Sequence, residues 1–290
     1  MLGTFVILYL FLGGVGAAVL GTTCAWSLLF FRTRSRTAEQ TRAFAAARRL
    51  LFRISLIVLV AAALCLLLDL GRPEKAFLLF TRPTPSYLTV GSFVLAGCLA
   101  VAGFLVVASA TSGSHRPGPF IRSVEVFCLP LTLALMLYTG LYLAWLQAVP
   151  LWDNPFLPWL LAASSLSSGL SVVLVAVPFV LDWRLIAGWT GVLHRVHGWV
   201  LLLVALLFAG FLAAAAANPF ALPSLAALVA PEAGGLWLWI GFVGAGVALP
   251  LAAEGFASRL PAPVTLMGAE LLCVAGGLIL RFCLVMSGSH

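Results

Sequence analysis

The chain has 290 residues, of which 63% are apolar and only 9% are charged. Soluble domains carry charge on about a quarter of their residues. A water-soluble fold of this length is excluded, because so few ionic groups could not cover its surface. The net charge of +7 does not indicate a nucleic-acid partner, because the cations cluster in short gaps between apolar runs, as they do in membrane proteins.

Eight apolar runs are long enough to cross the hydrocarbon core of a bilayer, which takes about 20 helical residues. Because lipid cannot satisfy free backbone groups, the runs are predicted to be helices. We predict an all-α integral membrane protein with a single membrane domain over residues 1–290. Two four-helix bundles are the expected arrangement, although no internal repeat is visible. The predicted helices cover about residues 4–31, 50–69, 87–110, 123–148, 158–181, 196–217, 236–257 and 264–286.

The distribution of Lys and Arg predicts the orientation of these helices. Twelve of the sixteen Lys and Arg residues lie in or beside gaps on one side of the membrane. By the positive-inside rule this side faces the cytoplasm, so both termini are expected outside. The first run lacks a basic region before it and is too long for a signal peptide, so it is expected to be a retained span. The four cations of the outer side are Arg72, Lys75, Arg82 and Arg281.

Cysteine and histidine do not form a recognisable cofactor site in the sequence. The six cysteines lie inside apolar runs without a C-x-x-C pair, which is typical of small buried residues rather than of cluster ligands. His194 and His197 are three residues apart and are expected in a basic gap. A membrane haem needs histidines from separate helices at matching depth, so we expect no haem and no metal, with a surface metal site as the alternative.

The stretch DLGRPEKAFLLFTRPTPSYL, residues 69–88, interrupts the apolar pattern on the side that should carry little charge. Three prolines stiffen it. One interpretation is a rigid turn with solvated charges, in which Asp69 and Arg72 form an ion pair at a helix end. The other is a functional loop.

A few ionisable residues fall within the predicted spans or at their ends, where charge is costly and often functional. Glu125, Glu270 and Glu254 could carry protons across the membrane, or they could pair with Arg122, Arg184 or Arg259. The serine-rich segment 164–171 could line a polar channel, but small residues more often permit close helix packing. Arg281 is expected near the outer interface, where it holds helix ends together or faces a partner.

Three stretches resemble the NrfD/PsrC family, the membrane subunits of polysulfide-reductase-type complexes. They are DLGRPEKAFLLFTRPTPSYLTVGSFVL, LMLYTGLYLAWLQAVPLWDNPFLPWLLAASSLSSGLS and the C-terminal GGLILRFCLVMSGSH. The glycine-rich opening, YLFLGGVGAAVLG, is also similar. The resemblance follows the chain in order over most of its length.

This resemblance implies a respiratory subunit that is not catalytic on its own and holds no cofactor of its own. Such a subunit binds quinol or quinone near the outer face, with menaquinone as the expected exchangeable substrate. It exchanges electrons with a four-cluster ferredoxin-like iron–sulfur subunit outside the membrane, which serves a further catalytic subunit. The implied location is the prokaryotic inner membrane, with lipid and protein as partners and no nucleic acid.

The resemblance also assigns roles to individual residues. Tyr138, in the family's Y-T-G motif, is expected to contact the quinone, although an interfacial aromatic-belt tyrosine is the alternative. Arg72 is expected to shape the quinone site. Family members often carry Asn or His in the first helix, and Tyr9 is the substitute for them in this chain.

Proton transfer and docking are assigned to charged residues. Asp69 and Glu125 are expected to accept and carry protons. Lys75 and Arg82 are expected to dock an acidic patch of the partner.

Two other function classes fit the composition. One is a proton-coupled transporter, although such carriers often show matched pairs of interrupted spans, which are not evident here. The other is a purely structural anchor that does not bind quinone, which the unusual first helix would allow.

Overall fold

A computed structural model of the chain describes residues 4–33, 36–69, 87–111, 117–145, 149–230, 235–255 and 263–287. Within these ranges the regular structure is entirely helical, and eight helical segments are long and apolar enough to cross a membrane. Large apolar side chains cover the exterior, among them Ile57, Phe127 and Leu206. The predicted all-α membrane protein with eight spans is therefore confirmed.

The helices alternate with short connections. They are α1 (Thr4–Arg32), α2 (Ala38–Asp69), α3 (Tyr87–Thr111), α4 (Pro119–Trp145), α5 (Leu157–Ala176), α6 (Ala187–Ala217), α7 (Leu222–Val229), α8 (Leu249–Gly255) and α9 (Pro263–Met286). Two 3₁₀ turns, Val177–Phe179 and Trp183–Ile186, join α5 to α6. The short α7 does not span. The seventh span consists of a π-helical segment, Trp237–Ala248, that continues into α8.

Two helices begin earlier than predicted. Helix α2 starts at Ala38, where the Thr37 hydroxyl accepts a bond from the Gln40 amide at 3.1 Å and the Gln40 side chain accepts one from the Thr37 amide at 3.2 Å. This capping box, followed by Ala and Arg residues of high helix propensity, explains the longer helix. Helix α6 starts at Ala187, so both histidines of the predicted gap are helical.

The spans form two four-helix rings. In the first bundle α1 packs on α2, α2 on α3, α3 on α4 and α4 on α1. In the second bundle α5 packs on α6, α6 on α8, α8 and the π-helical segment on α9, and α9 on α5. Helix α1 also packs against α5 and α9, which joins the bundles. The predicted arrangement as two four-helix bundles is thus confirmed.

Small residues bring the helices into close contact. A methyl group at Gly169 of α5 would overlap Ala18 of α1, and the backbones of Gly246 and Gly276 touch between the seventh span and α9. Ser165 contacts Gly14 in the same way, and Ser168 contacts Gly277. These contacts favour the packing interpretation of the serine-rich segment.

Because successive spans run in opposite directions, the molecule has two ends. We call one the tyrosine end, defined by Tyr9, Tyr138 and Tyr142. The other is the arginine end, defined by Arg32 and Arg48. That the arginine end faces the cytoplasm stays a prediction.

Candidate functional site

Two buried tyrosines meet at the tyrosine end of the first bundle. Tyr9 of α1 is 2% exposed and Tyr138 of α4 is 4% exposed. Their phenol groups are close enough to interact. However, neither hydroxyl has a well-aligned hydrogen-bond partner among the described residues. Buried polar atoms are rarely left unpaired, so this position suits a ligand that supplies the missing partners.

The other two helices of the first bundle pack around the two tyrosines. Gly91 of α3 lies directly against the ring of Tyr138, and a side chain there would overlap that ring. Ala62 of α2 faces Gly13, one turn from Tyr9. Tyr142 lies one turn further along α4, and the centroid of its ring is 6.0 Å from that of Tyr138.

Of the charged residues predicted for this site in the stretch 69–88, only Asp69 lies within the described residues. Asp69 is the last residue of α2, is exposed, and lies close enough to Tyr142 for an electrostatic interaction. Arg72, Lys75 and Arg82 lie outside the described residues, so their predicted roles stay predictions.

Glu125 lies at the opposite, arginine end. Its Oε1 is 3.0 Å from Nη2 of Arg48, and both side chains are buried. The two atoms form an ion pair without the alignment of a good hydrogen bond. Along α4, Glu125 is about 20 Å from Tyr138, too far to contact a ligand bound there. The expected cationic partners were Arg122, Arg184 or Arg259. The partner is Arg48, because the longer α2 carries this residue into the bundle.

A second cluster at the arginine end joins α6, α8 and α9. His194 Nδ1 is 2.8 Å from Glu254 Oε1 and 3.8 Å from Glu270 Oε1. His197 Nδ1 lies 3.2 Å from a carboxylate oxygen of each glutamate. The sequence contains both histidines and both glutamates, but it does not indicate that they meet.

His197 is fully buried within α6, so the prediction that it lies in a basic gap is wrong for this side chain. Its Nε2 lies 3.0 Å from the hydroxyl of Ser167 and 3.3 Å from that of Ser171. Cys273 of α9 lies 3.7 Å from the same nitrogen. The serine-rich face of α5 thus fixes the orientation of this imidazole.

Arg281 is also fully buried, so of its two predicted roles the partner-facing one is wrong. Its guanidinium donates to the Ser165 hydroxyl at 2.7 Å and to the Leu161 carbonyl at 3.2 Å, both on α5. It also lies over the ring of Phe11 at 5.4 Å. Among the described residues it has no carboxylate partner. The expectation that Arg281 holds helices together agrees with these contacts.

An apolar cleft of about 300 Å³ opens between α1, α4, α5 and α6. Trp26, Thr132, Met136 and Leu166 are among its lining residues. The cleft extends toward the arginine end, and neither Tyr9 nor Tyr138 lines it. An apolar tail or lipid chain bound there would therefore not occupy the tyrosine site.

Comparison with known proteins identifies the family. The family model described as "Polysulphide reductase, NrfD" matches residues 1–290. The chain belongs to the NrfD family. A curated relative, Protein NrfD of Escherichia coli (strain K12), is 32% identical over 181 residues, which are 59% of this chain and 54% of the relative. The chain thus spans about half the length of the curated relative that it matches.

The family agrees with the architecture described above. NrfD membership and the eight apolar spans both indicate a multi-pass membrane protein. The resemblance seen in the sequence motifs is confirmed at the level of the family.

Proposed function

We propose that this NrfD-family chain binds menaquinol or menaquinone at the tyrosine end of its first bundle. In this proposal it exchanges electrons between the quinone pool and an iron–sulfur subunit docked outside the membrane. The observation that carries the proposal is that the buried hydroxyls of Tyr9 and Tyr138 lie close together, without an aligned hydrogen-bond partner among the described residues.

The chemistry of a quinol matches this pair. A phenol hydroxyl both donates and accepts hydrogen bonds, and its ring supplies an apolar wall. A quinol headgroup needs both properties, because it carries two oxygens on a flat apolar ring. The glycine at position 91 keeps α3 close to the ring of Tyr138, so the site is formed by rigid helices rather than by loops.

Oxidation of one quinol releases two electrons and two protons. In the proposal the electrons pass one at a time to an iron–sulfur cluster of the partner beside the tyrosine end. The protons pass to Asp69 and then to water, because Asp69 is exposed at the end of α2 and lies near Tyr142. Quinone reduction follows the same route in reverse.

Membership of the NrfD family supports a proposal for the partner. We propose a four-cluster ferredoxin-like subunit, joined to a further catalytic subunit, with Lys75 and Arg82 in its docking surface. A partner held by these cations would co-purify with the chain at low salt and dissociate at high salt, because exposed ion pairs are screened.

Binding of a fluorescent menaquinol analogue to the chain in lipid nanodiscs tests the site. Each of Tyr138→Phe and Tyr9→Phe removes one hydroxyl and should weaken binding by about 1 kcal/mol, or roughly fivefold. The double variant should weaken it further. Tyr142→Phe is the matched control, because its ring contacts Tyr138 without contributing one of the two unpartnered hydroxyls.

A photoreactive quinone gives an independent test. Crosslinks should appear on α1 and α4 near the two tyrosines. Unchanged affinity in the double Tyr→Phe variant, or crosslinks confined to the apolar cleft at Trp26 and Thr132, would refute this site.

A further inference from the structure

We propose that His194, Glu254 and Glu270 form a binding site for one divalent transition-metal ion, with Zn²⁺ as the reference ion. The site lies in the second bundle at the arginine end. It is independent of the quinone proposal, which concerns the first bundle and the other end.

The geometry of the three side chains fits a single ion. Each offers one ligand atom, and these atoms lie within 4.8 Å of one another. Ligands at about 2.0–2.2 Å from Zn²⁺ in tetrahedral coordination are roughly 3.3–3.5 Å apart. The Nδ1 of His194 lies 2.8 Å from the Glu254 carboxylate and 3.8 Å from that of Glu270. The expected ligand–ligand spacing falls between these two distances. A water molecule would complete the coordination.

Charge and burial also favour a cation. Glu254 and Glu270 are 7% and 3% exposed, yet their carboxylates converge from separate spans. Placing two anions together inside a bundle is costly unless positive charge compensates for them. The Glu270 Oε2 atom has no aligned hydrogen-bond partner among the described residues, so it retains a lone pair for a ligand.

His197 supplies the outer support that metal sites require. Its Nδ1 is 3.2 Å from both carboxylates. Ionised carboxylates can only accept, so this nitrogen donates to Glu254 Oε1, its aligned partner. The serines at 167 and 171 fix its other nitrogen. Groups that orient the ligands in this way strengthen metal binding by about 10–100-fold.

An ion can reach the site from outside the bundle. Two clefts of about 440 and 170 Å³ meet at His194, which is 23% exposed. Gly198 and Trp199 line the first, and Pro178 and Leu266 line the second. The competing interpretation is a metal-free network of imidazolium and carboxylate groups, which would use the same contacts but would not bind an ion.

Titration with Zn²⁺ and Co²⁺ separates the two interpretations. The full chain would be purified with a tag that contains no histidine and stripped with a chelator. We expect saturable binding of one ion per chain. Bound Co²⁺ should show the intense visible bands of four-coordinate geometry, which needs no activity assay. Zn²⁺ should also raise the unfolding temperature, because an ion that binds only the folded state stabilises it.

Variants locate the site. His194→Ala, Glu254→Gln and Glu270→Gln should each lower the affinity by more than about 100-fold, beyond the range of outer-sphere changes. His197→Asn should lower it by about 10–100-fold. The control is Asp182→Asn, because Asp182 carries an exposed carboxylate at the same end. Its backbone is left-handed, a conformation that asparagine tolerates.

Two results would overturn the proposal. One is the absence of saturable one-to-one binding to the folded wild-type chain. The other is binding that the three ligand variants leave unchanged while they remain folded, as judged by circular dichroism. Either result would leave the metal-free ion network as the role of the cluster.

Discussion

Nη2 of Arg48 lies 3.0 Å from Oε1 of Glu125, and this ion pair joins α2 to α4 inside the first bundle. The guanidinium also stacks over Phe52 at 5.3 Å. A buried pair of this kind is not strong evidence for stability, because desolvation offsets the attraction. Removing only one partner is different, since it leaves a buried charge uncompensated.

Substitution of one partner should therefore destabilise the first bundle. Arg48→Met or Glu125→Leu should each cost about 3–5 kcal/mol. The double variant should recover most of that loss. The measurement is a double-mutant cycle of reversible unfolding in mixed micelles. Arg53→Ala, an exposed arginine of the same helix, should change stability by less than about 0.5 kcal/mol. Additive effects of the two single variants would contradict the pairing.

Gly91→Ala should displace the ring of Tyr138, because a methyl group at this position would overlap it. We expect a loss of stability of about 1–3 kcal/mol, as for other overpacked sites, and weaker binding of the menaquinol analogue. The matched control is Gly103→Ala, on the same helix with nothing within 4 Å of the added methyl. Equal effects of the two substitutions would show that Tyr138 does not lie against α3.

Asp69→Asn should slow quinol oxidation without a large change in quinol affinity. Asparagine keeps the shape of the side chain but cannot accept the proton, and such transfer contributes about 100-fold or more to the rate. The assay is quinol-dependent reduction of the purified complex, with kcat and KM determined separately. Asp153→Asn is the control, because this aspartate is exposed at the same end of the molecule. A normal kcat for Asp69→Asn would exclude this proton acceptor.

Arg281→Lys should fail to replace arginine in the second bundle. The guanidinium reaches Ser165 and the Leu161 carbonyl together, and the single ammonium of lysine cannot reproduce this planar fork. We expect both Arg281→Lys and Arg281→Met to lose about 2 kcal/mol or more. Unfolding of the chain in micelles measures this, with lipid-facing Phe282→Leu as the control. A fully stable Arg281→Lys would mean that charge alone is sufficient.

The number of spans and the family were predictable because each depends on local sequence. The two bundles were expected, but no residue pattern indicated which spans pack together. Twenty apolar residues specify a span whatever surrounds them. The Y-T-G motif identified Tyr138 as a candidate, and Tyr9 was named only as the substitute for the polar residues of the family's first helix. The sequence did not indicate that these two phenols meet.

The partners of the buried charges were not predictable. A helix that is apolar on all sides has no polar face to indicate which residues point inward. Arg48 was expected in a gap between helices. It lies inside the bundle because the capping box at Thr37 starts α2 more than three turns earlier than predicted. His197 and Arg281 were placed too close to the surface for the same reason: sequence position gives depth along a helix but not the direction of a side chain.

The interactions that hold the first bundle together differ between its two ends. A buried ion pair joins α2 to α4 at one end, whereas the other holds two phenols without an aligned hydrogen-bond partner in the described part of the chain. Hydrogen exchange should accordingly reveal fraying that starts beside Tyr9 and Tyr138, since local opening begins where the fewest interactions are lost. A lipid-soluble ligand would then enter the bundle at its less stable tyrosine end, without opening the ion-paired arginine end.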